Sequence, residues 1–377
     1  MLPTDEQALL RDTLRTFARE QLAPGAAQRD REKAFPAAQL KALAAMGVFG
    51  VTVPVEWGGA GMDTVSLAIA IEEIAAGDGA CSTILSVNNS VVCGPLLAWG
   101  TPEQKREHLV PLASGAQLGC FCLTEPHTGS DASAITMRAV RNADGWVLDG
   151  TKQFITSGAN ADVAIVFAVT DPAAGKRGIS AFVVPTRTPG YRVARIEEKA
   201  GQRGSDTAQI AFEACRVPRT ALLGAEGEGY RIALANLEAG RIGIAAQAVG
   251  MARAALEAAI DFAKQRQSFG KPIIEHQAVA FRLADMATRV EVARQMVLHA
   301  AQLRDARLPC LKEASMAKLF ASEMAEEVCS DAIQVHGGYG YVSDFPVERI
   351  WRDVRVCRIY EGTSEIQRLV IARALAA

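Results

Sequence analysis

The amino-acid sequence predicts an α+β protein of three successive parts: a helical N-terminal domain at residues 1–117, a small antiparallel β-domain at 118–225 and a helical C-terminal domain at 226–377. Hydrophobic residues make up 49% of the 377 residues and aromatic residues only 6%, so the apolar residues are mainly aliphatic and favour helices. Between about residues 118 and 218 the apolar runs become short and β-rich. The absence of a strand–helix–strand rhythm argues against a Rossmann unit.

The N-terminal part reads as a series of helices. Leu10, Leu14 and Phe17 lie on one face of a predicted first helix, and a second helix is expected after Pro36. The glycines between residues 54 and 61 predict a loop. A further helix is predicted to start at Thr101-Pro102-Glu103, with proline at its first position.

The segment 81–102 carries no charged residue and is long enough to be considered as a membrane span. It contains Asn88 and Asn89 together with Gly94-Pro95, and polar side chains of this kind are costly in lipid. We therefore predict a buried core helix with a break.

Five short β-rich runs predict the strands of the middle domain, and Asp144-Gly145 is a hairpin-type turn signal between two of them. The predicted strands are 134–140, 146–148, 163–169, 179–184 and 207–212.

The C-terminal part contains an apolar seam in which residues recur alternately at spacings of four and three. Such a seam packs against other helices, within the subunit or across subunits. Its residues are Val279, Leu283, Met286, Val290, Ala293 and Val297.

Charge and cysteine usage exclude several functional classes. The 40 basic and 42 acidic residues nearly cancel and form no long basic run, so we expect no nucleic-acid partner. The eight cysteines include no C-x-x-C pair, which favours reduced, buried thiols. The first residues, 1–6, lack the features of a signal peptide, so a cytoplasmic location is expected.

Common catalytic signatures are missing from the sequence. There is no G-x-G-x-x-G, no phosphate-binding G-x-x-x-x-G-K-[ST] and no G-x-S-x-G elbow. The five histidines show no H-E-x-x-H spacing, so we expect no metal site. An enzyme of this sequence would hold its cofactor by another scheme.

The segment 359–367 places Glu361 at a glycine turn just before a helix. Thr363 or Ser364 can cap that helix, and Ser364 with Gln367 has the form of a capping box. A carboxylate held in this way could act as a general base. Alone, however, a glutamate before a helix is usually a solvated residue favoured by the helix dipole.

The segment 121–131 leaves a predicted strand and turns through Pro126 and Gly129. Its backbone N–H groups and the hydroxyls of Thr124 and Ser130 could hold an anionic or polar ring edge. An ordinary Asx-type loop is the alternative.

The segment 152–158 places Phe154 and Thr156 two residues apart, so both side chains point to one face of a strand. This pair suits one ring stacked on a flat cofactor and one hydrogen bond to its edge. A normal strand end is the alternative.

The segment 266–277 joins two long predicted helices. Arg266 and the turn at Gly270 could bind a pyrophosphate. A helix C-cap, where Gly and Lys are common, is the alternative.

The segment 334–341 contains the paired glycines Gly337 and Gly338. They allow the backbone to approach a ligand closely. A simple helix stop is the alternative.

Together, in this order and on this three-part layout, the five segments resemble the acyl-CoA dehydrogenase family, flavoenzymes that oxidise acyl-CoA thioesters to trans-2-enoyl-CoA. The resemblance spans residues 5–375, and segments 88–90, 238–244 and 360–368 are most similar to the short-chain (butyryl-type) and short branched-chain members. It implies a C-terminal domain like a four-helix bundle.

The resemblance implies FAD as the cofactor. In this family residues of the segments matching 121–131 and 152–158 line the flavin ring, and here these would be Phe121, Leu123, Thr124, Gly129, Ser130, Phe154, Ile155 and Thr156. Phe154 stands where many members have Trp. The adenine and pyrophosphate of an FAD bound mainly by a neighbouring subunit would contact Arg266, Phe269, Gln277, Gln334, Val335, Gly337 and Gly338. Thr363 and Glu365 would contact the cofactor from the other side.

Glu361 matches the catalytic base of the family, which removes the α-proton while the β-hydrogen leaves as hydride to flavin N5. Some members place the base one residue before the position of Arg241, but here that residue is Gly240. Contacts with the acyl-CoA are implied for Ser130, Glu238, Arg241, Tyr360 and Gly362.

The resemblance further implies a short-chain acyl-CoA substrate, straight or branched, in fatty acid β-oxidation or branched-chain amino acid catabolism. The expected electron acceptor is an electron-transfer flavoprotein, and the expected assembly is a homotetramer built as a dimer of dimers. Two alternatives stay open: a flavin-dependent monooxygenase or oxidase of the same superfamily, and a non-catalytic acyl-CoA-binding flavoprotein.

Overall fold

The computed structural model describes residues 3–376. Helices form the N-terminal part, a sheet forms the middle and helices form the C-terminal part, as the sequence predicts.

The N-terminal part is built from eight helical segments, several of which continue one another through a wider π turn. A capping box between Thr4 and Gln7 starts the first helix, and Thr101 caps the helix that begins at Pro102, as predicted. The segments are α1 Asp5–Phe17, α2 Ala23–Glu32, α3 Ala37–Ala45, α4 Thr64–Gly77, α5 Gly79–Val87, α6 Gly94–Trp99, α7 Pro102–Gln104 and α8 Val110–Ala113.

The apolar stretch Gly79–Trp99 is one helix, long and apolar enough by length and composition to cross a membrane, and 89% of its most apolar window is buried inside the protein. The side-chain amide of Asn88 donates to the carbonyl of Phe49 at 3.0 Å, and that of Asn89 to the carbonyl of Val48 at 2.9 Å. The predicted core helix is therefore present. The expected break is a π turn, Asn88–Cys93, through which the helix continues.

The middle part forms one eight-stranded sheet with the order β6-β7-β3-β2-β4-β5-β8, and β1 pairs with β4. The pairing is largely antiparallel, as predicted, but β1 and the first residue of β2, Arg138, pair in parallel with β4. The strands are β1 Gly119–Cys122, β2 Arg138–Arg141, β3 Gly145–Thr156, β4 Val163–Val169, β5 Ile179–Pro185, β6 Tyr191–Ile196, β7 Thr207–Pro218 and β8 Leu222–Leu223.

The predicted strand at 134–140 starts later than expected. Residues Ala132–Ala134 form a 3₁₀ turn in which the Asp131 carboxylate accepts from the backbone N–H of Ser133. This local hydrogen bond competes with strand pairing. The hairpin at Asp144-Gly145 is confirmed, since β2 and β3 pair on either side of it.

The C-terminal part contains long helices that pack on one another: α9 with α10 and α11, and α11 with α13. The predicted seam is buried in α10 at Leu283, Met286, Val290, Ala293 and Val297, while Val279 is partly buried. The elements are α9 Gly229–Gln265, β9 Gln267–Ser268, β10 Lys271–Pro272, α10 Gln277–Asp305, α11 Leu311–His336, α12 Val347–Val354 and α13 Ser364–Ala376.

All eight cysteines are buried and free, as their sequence context predicts. Helix α9 also packs against α4 and α5 of the N-terminal part and touches β5, so it is the common wall between the three parts.

Candidate active site

The segment around Glu361 is a strained turn. Glu361 has φ of 51° and Gly362 has φ of 92°, so two consecutive residues are left-handed. For a residue with a side chain this conformation costs about 1–2 kcal/mol, so surrounding contacts must hold it.

Helix α13 follows directly, and the backbone N–H of Ile366 donates to the hydroxyl of Thr363 at 3.4 Å. Thr363 is thus the cap. The capping box suggested for Ser364 and Gln367 is not formed: the Ser364 hydroxyl is buried without a partner, and the Gln367 amide donates to the carbonyls of Glu361 at 3.3 Å and Gly362 at 2.8 Å. The Gln367 side chain therefore hydrogen-bonds to the turn instead of capping the helix.

The Glu361 carboxylate points into the protein. Its Oε2 is buried and has no hydrogen-bond partner among the described residues. A Cβ built at Gly240 of α9 would lie 1.8 Å from this oxygen, so the carboxylate occupies space that only glycine leaves. Burial raises the pKa of Glu361 to about 7, while the positive charges of Lys318 and Arg241 oppose the shift.

Lys318 lies fully buried on α11, beneath the turn. Its ammonium donates to the carbonyl of Gly362 at 2.6 Å. Burial lowers the pKa of Lys318 to about 8.

Tyr360 is anchored by a buried polar network. Its hydroxyl donates to Oε1 of Gln247 at 2.5 Å and accepts from the amide of Gln202 at 3.4 Å. The Gln247 amide donates to the Thr83 hydroxyl at 2.5 Å and to the carbonyl of Gly79 at 3.0 Å, and Thr83 also donates to Gln202. Side chains from all three parts of the chain therefore meet behind Glu361.

The two segments predicted to line a flavin ring lie side by side. The backbone N–H of Gln153 donates to the carbonyl of Thr124 at 2.8 Å. The fully buried ammonium of Lys152 donates to the carbonyl of Leu123 at 3.0 Å and to the Glu125 carboxylate at 2.8 Å. These contacts fix the loop 121–131 to β3.

Phe154 departs from regular strand geometry, with φ of 58°, and its side chain is 64% exposed. Phe121 is half-buried, and its ring lies 4.9 Å from that of Phe167. The other predicted flavin residues range from buried (Leu123, Ile155) through half-buried (Thr124, Thr156) to exposed (Gly129, Ser130).

The segments 266–277 and 334–341 meet at a cavity of about 550 Å³, which Arg266, Val335, Gly337 and Gly338 help to line. The Arg266 guanidinium lies 5.7 Å from the centre of the Tyr339 ring. The lining residues come from α9, α11 and the segments that follow them, and none of those identified belongs to the eight-stranded sheet.

Three other residues of the same prediction, Phe269, Gln277 and Gln334, are exposed and are not among the residues that line this cavity. Phe269 is 95% exposed.

Most of the predicted acyl-CoA contacts lie on α9 and at the Glu361 turn, while Ser130 lies on the middle part. Arg241 is buried, and its positive charge interacts with the carboxylate of Glu361. Its guanidinium donates to the Ser315 hydroxyl at 3.2 Å. Glu238 lies three residues before Arg241 on α9, and its charge also acts on Arg241. It pairs with Arg304 at 3.2 Å and lines a polar cavity of about 430 Å³. Ser130 is exposed on the middle part.

Family models match almost the whole chain: the N-terminal domain of acyl-CoA dehydrogenases at residues 4–116, the middle domain at 120–215 and the C-terminal domain at 227–376. The chain belongs to the acyl-CoA dehydrogenase family.

Individual relatives are similar over 90% or more of their length. The human mitochondrial short-chain specific acyl-CoA dehydrogenase is 50% identical over 371 residues, which are 98% of this chain and 90% of that protein. The structure of butyryl-CoA dehydrogenase from Megasphaera elsdenii has a TM-score of 0.98 at 40% identity and covers 100% of both chains. A chain from a structural study of the electron transferring flavoprotein of Acidaminococcus fermentans has a TM-score of 0.98 at 44% identity. The match covers 100% of this chain and 99% of that chain.

Acyl-CoA dehydrogenases are FAD enzymes, and the residues here suit that cofactor. The exposed ring of Phe154 is free to stack on a flat heterocycle. The Ser157 hydroxyl, directly after the end of β3, is buried without a partner among the described residues. The cavity of Arg266, Gly337 and Gly338 offers a guanidinium and open backbone to a pyrophosphate.

Sequence reasoning missed several residues of this dehydrogenase site, among them Lys318, Gln202, Gln247 and the turn contacts of Gln367. The position of Lys318 could have been recognised in the sequence, because this lysine interrupts a helical stripe of alanines that is buried in α11: Ala314, Ala317, Ala321 and Ala325. A charged residue inside an apolar stripe is rarely buried without a partner.

Proposed function

We propose that this acyl-CoA dehydrogenase oxidises short-chain acyl-CoA thioesters to trans-2-enoyl-CoA, with Glu361 as the base that removes the α-proton. One observation carries the proposal: a buried carboxylate oxygen without a partner faces a glycine on α9. A buried acceptor left unpaired is costly unless a ligand uses it.

Glu361 is suited to its proposed task because burial raises its pKa to about 7. A base with a pKa near the working pH is ionised often enough to act and is strong enough to take a proton. The exclusion of water by burial is the cause of this raised pKa. The thioester carbonyl is expected to accept a hydrogen bond from the backbone N–H of Glu361, where enolate charge develops.

FAD would be held by the loop 121–131, by Phe154 to Thr156 and, across a subunit boundary, by Arg266, Gly337 and Gly338. When bound, it supplies the acceptor for the β-hydride. Thr363 and Glu365 would approach it from the start of α13. The protein's own part is to position the acyl chain and to move the α-proton.

The acyl-CoA would place its thioester between Glu361 and Arg241. Glu238 precedes Arg241 by three residues on α9, and its open, polar cavity offers the pantetheine chain a path towards solvent. Arg304 of that cavity adds a positive charge. Tyr360 and Gly362, on either side of the base, and Ser130, on the middle part, complete the proposed contacts.

A short acyl chain is favoured by one face of α9. Gly240, Gly243 and Gln247 share this face, spaced three and four residues apart. A Cβ at Gly243 would meet the Ser86 hydroxyl at 2.5 Å, and Gln247 is already bonded to Tyr360 and Thr83. An acyl chain that extends along this face from Glu361 would therefore meet closed, polar packing within a few carbons.

Electrons are proposed to pass to an electron-transfer flavoprotein, and the assembly is proposed to be a homotetramer built as a dimer of dimers. The exposed Phe269 supports a shared cofactor site, because an apolar side chain in solvent is suited to contact with a neighbouring subunit.

The test is anaerobic mixing of the purified protein with butyryl-, isobutyryl-, 2-methylbutyryl-, isovaleryl-, hexanoyl- and octanoyl-CoA, followed by flavin absorbance. Rapid bleaching by a short chain is expected. Glu361→Gln should keep FAD and bind acyl-CoA but lose most turnover. No bleaching by any thioester, with FAD present, would contradict the proposed reaction, and fast reaction of the reduced protein with oxygen would favour an oxidase.

A further inference from the structure

A fully buried cation lies beneath the turn that carries the base. Lys318 is 0% exposed, and its ammonium donates to the carbonyl of Gly362, one residue after Glu361. We infer that Lys318 is a positioning residue: it holds the turn through Gly362 and favours the ionised, proton-accepting form of Glu361. This inference rests on the proposed role of Glu361 as the base.

The turn needs such an anchor because Glu361 and Gly362 are both left-handed, with φ of 51° and 92°. Outside a regular helix their carbonyls have no repeating backbone partner. The carbonyl of Gly362 accepts two side-chain hydrogen bonds, from Lys318 at 2.6 Å and from Gln367 at 2.8 Å. The turn is therefore clamped from α11 and from α13.

Only one of these two donors is charged. The cations that act on Glu361 are Lys318 from α11 and Arg241 from α9, and Lys318 has the larger effect. Around Lys318 itself lie the Cys357 thiol, Arg241 and the exposed Glu365. Because an ammonium favours a nearby carboxylate over the neutral acid, removing Lys318 raises the pKa of Glu361.

The chain offers a matched set of variants. Lys318→Met removes both the hydrogen bond and the charge, Lys318→Gln keeps an amide donor without the charge, and Gln367→Met removes only the neutral donor to the same carbonyl. Each is compared with the wild type as a purified holoenzyme of measured FAD content.

Two readouts separate the roles. The infrared C=O band of protonated Glu361, identified by its loss in Glu361→Gln, is titrated with pH. The rate of flavin bleaching by butyryl-CoA is measured over the same pH range.

We expect both Lys318 variants to raise the midpoint of the Glu361 band by about one pH unit or more, and Gln367→Met to leave it in place. Lys318→Met and Gln367→Met should each slow bleaching about 10- to 100-fold through misplacement of the base.

An unchanged midpoint in both Lys318 variants would overturn the inference, as would an equal shift in Gln367→Met. Should Lys318→Met fail to fold, Lys318→Gln gives the same titration. Retained turnover in Glu361→Gln would refute the proposed base instead, while the band shift would still report on Lys318.

Discussion

Gly240 and Glu361 are in contact only because residue 240 lacks a side chain: a Cβ there would lie 1.8 Å from the Oε2 of Glu361. Glycine inside a helix costs about 0.5–1 kcal/mol relative to alanine, so α9 gives up some helical stability at this position. The carboxylate occupies the space gained.

Gly240→Ala should therefore move the base without harming the helix. We expect bleaching by butyryl-CoA to slow by about 100-fold, because a displacement of about 1 Å can cost this much. FAD content and melting temperature should stay close to those of the wild type. Ala239→Gly, the neighbouring position on α9, is the control and should retain activity. Normal bleaching by Gly240→Ala would contradict the proposed orientation of the carboxylate.

Glu361→Gln should stabilise the protein at high pH. Burial raises the pKa of Glu361 from 4.5 to about 7, so the folded wild type binds a proton that the unfolded chain has already lost. Its stability consequently falls as the pH rises from about 4.5 to about 7, by about 3 kcal/mol in total. Thermal melts at pH 5 and pH 8 check this: Glu361→Gln should melt a few degrees higher at pH 8 and not at pH 5. The same difference at both pH values would mean that the charge is not responsible.

Lys152→Met should weaken both the fold and the retention of FAD. It leaves the buried Glu125 carboxylate without its cation and frees the carbonyl of Leu123. Removing one partner of a buried pair costs about 3–5 kcal/mol, which denaturant unfolding can measure. Arg11→Ala, which breaks the surface pair with Asp12, should change stability by less than about 1 kcal/mol. If both variants behave alike, the Lys152–Glu125 pair does not fix the loop.

Phe269→Ala should leave the folded subunit almost unchanged and weaken FAD binding. The side chain is 95% exposed within one chain, so its loss removes little internal packing. If it contacts the cofactor of a neighbouring subunit, FAD should dissociate about tenfold more readily, as an aromatic anchor contributes 1–2 kcal/mol or more. Fluorescence of released flavin measures this, with Val55→Ala, 73% exposed, as the control. Equal FAD affinity in the wild type, Phe269→Ala and Val55→Ala would show that Phe269 does not contact the cofactor.

Local patterns allowed the three-part layout and the turn at Glu361 to be predicted. The seam in α10 and the hairpin at Asp144-Gly145 each follow from patterns of residues that are close in sequence. Short strands were harder: β6 and β8 of the eight-stranded sheet were missed, and β6 is mostly exposed and lacks an apolar face.

The support behind the base could not be predicted, because its partners are far apart in sequence. Tyr360 bonds to Gln247 over 113 residues and to Gln202 over 158 residues. No spacing rule connects such positions, and a glutamine taken alone is usually exposed. The left-handed conformation of Glu361 likewise follows from tertiary contacts, since its residue type disfavours it.

The network of Thr83, Gln202, Gln247 and Tyr360 also bears on how such enzymes can diverge. Each of the three parts of the chain contributes to it, so no part is an independent module. A hybrid that takes its middle part from a relative with an apolar residue at position 202 would leave buried polar groups unpaired directly behind the base, at about 1–3 kcal/mol each. Exchange of parts between relatives is therefore constrained to sets of matched substitutions at these positions.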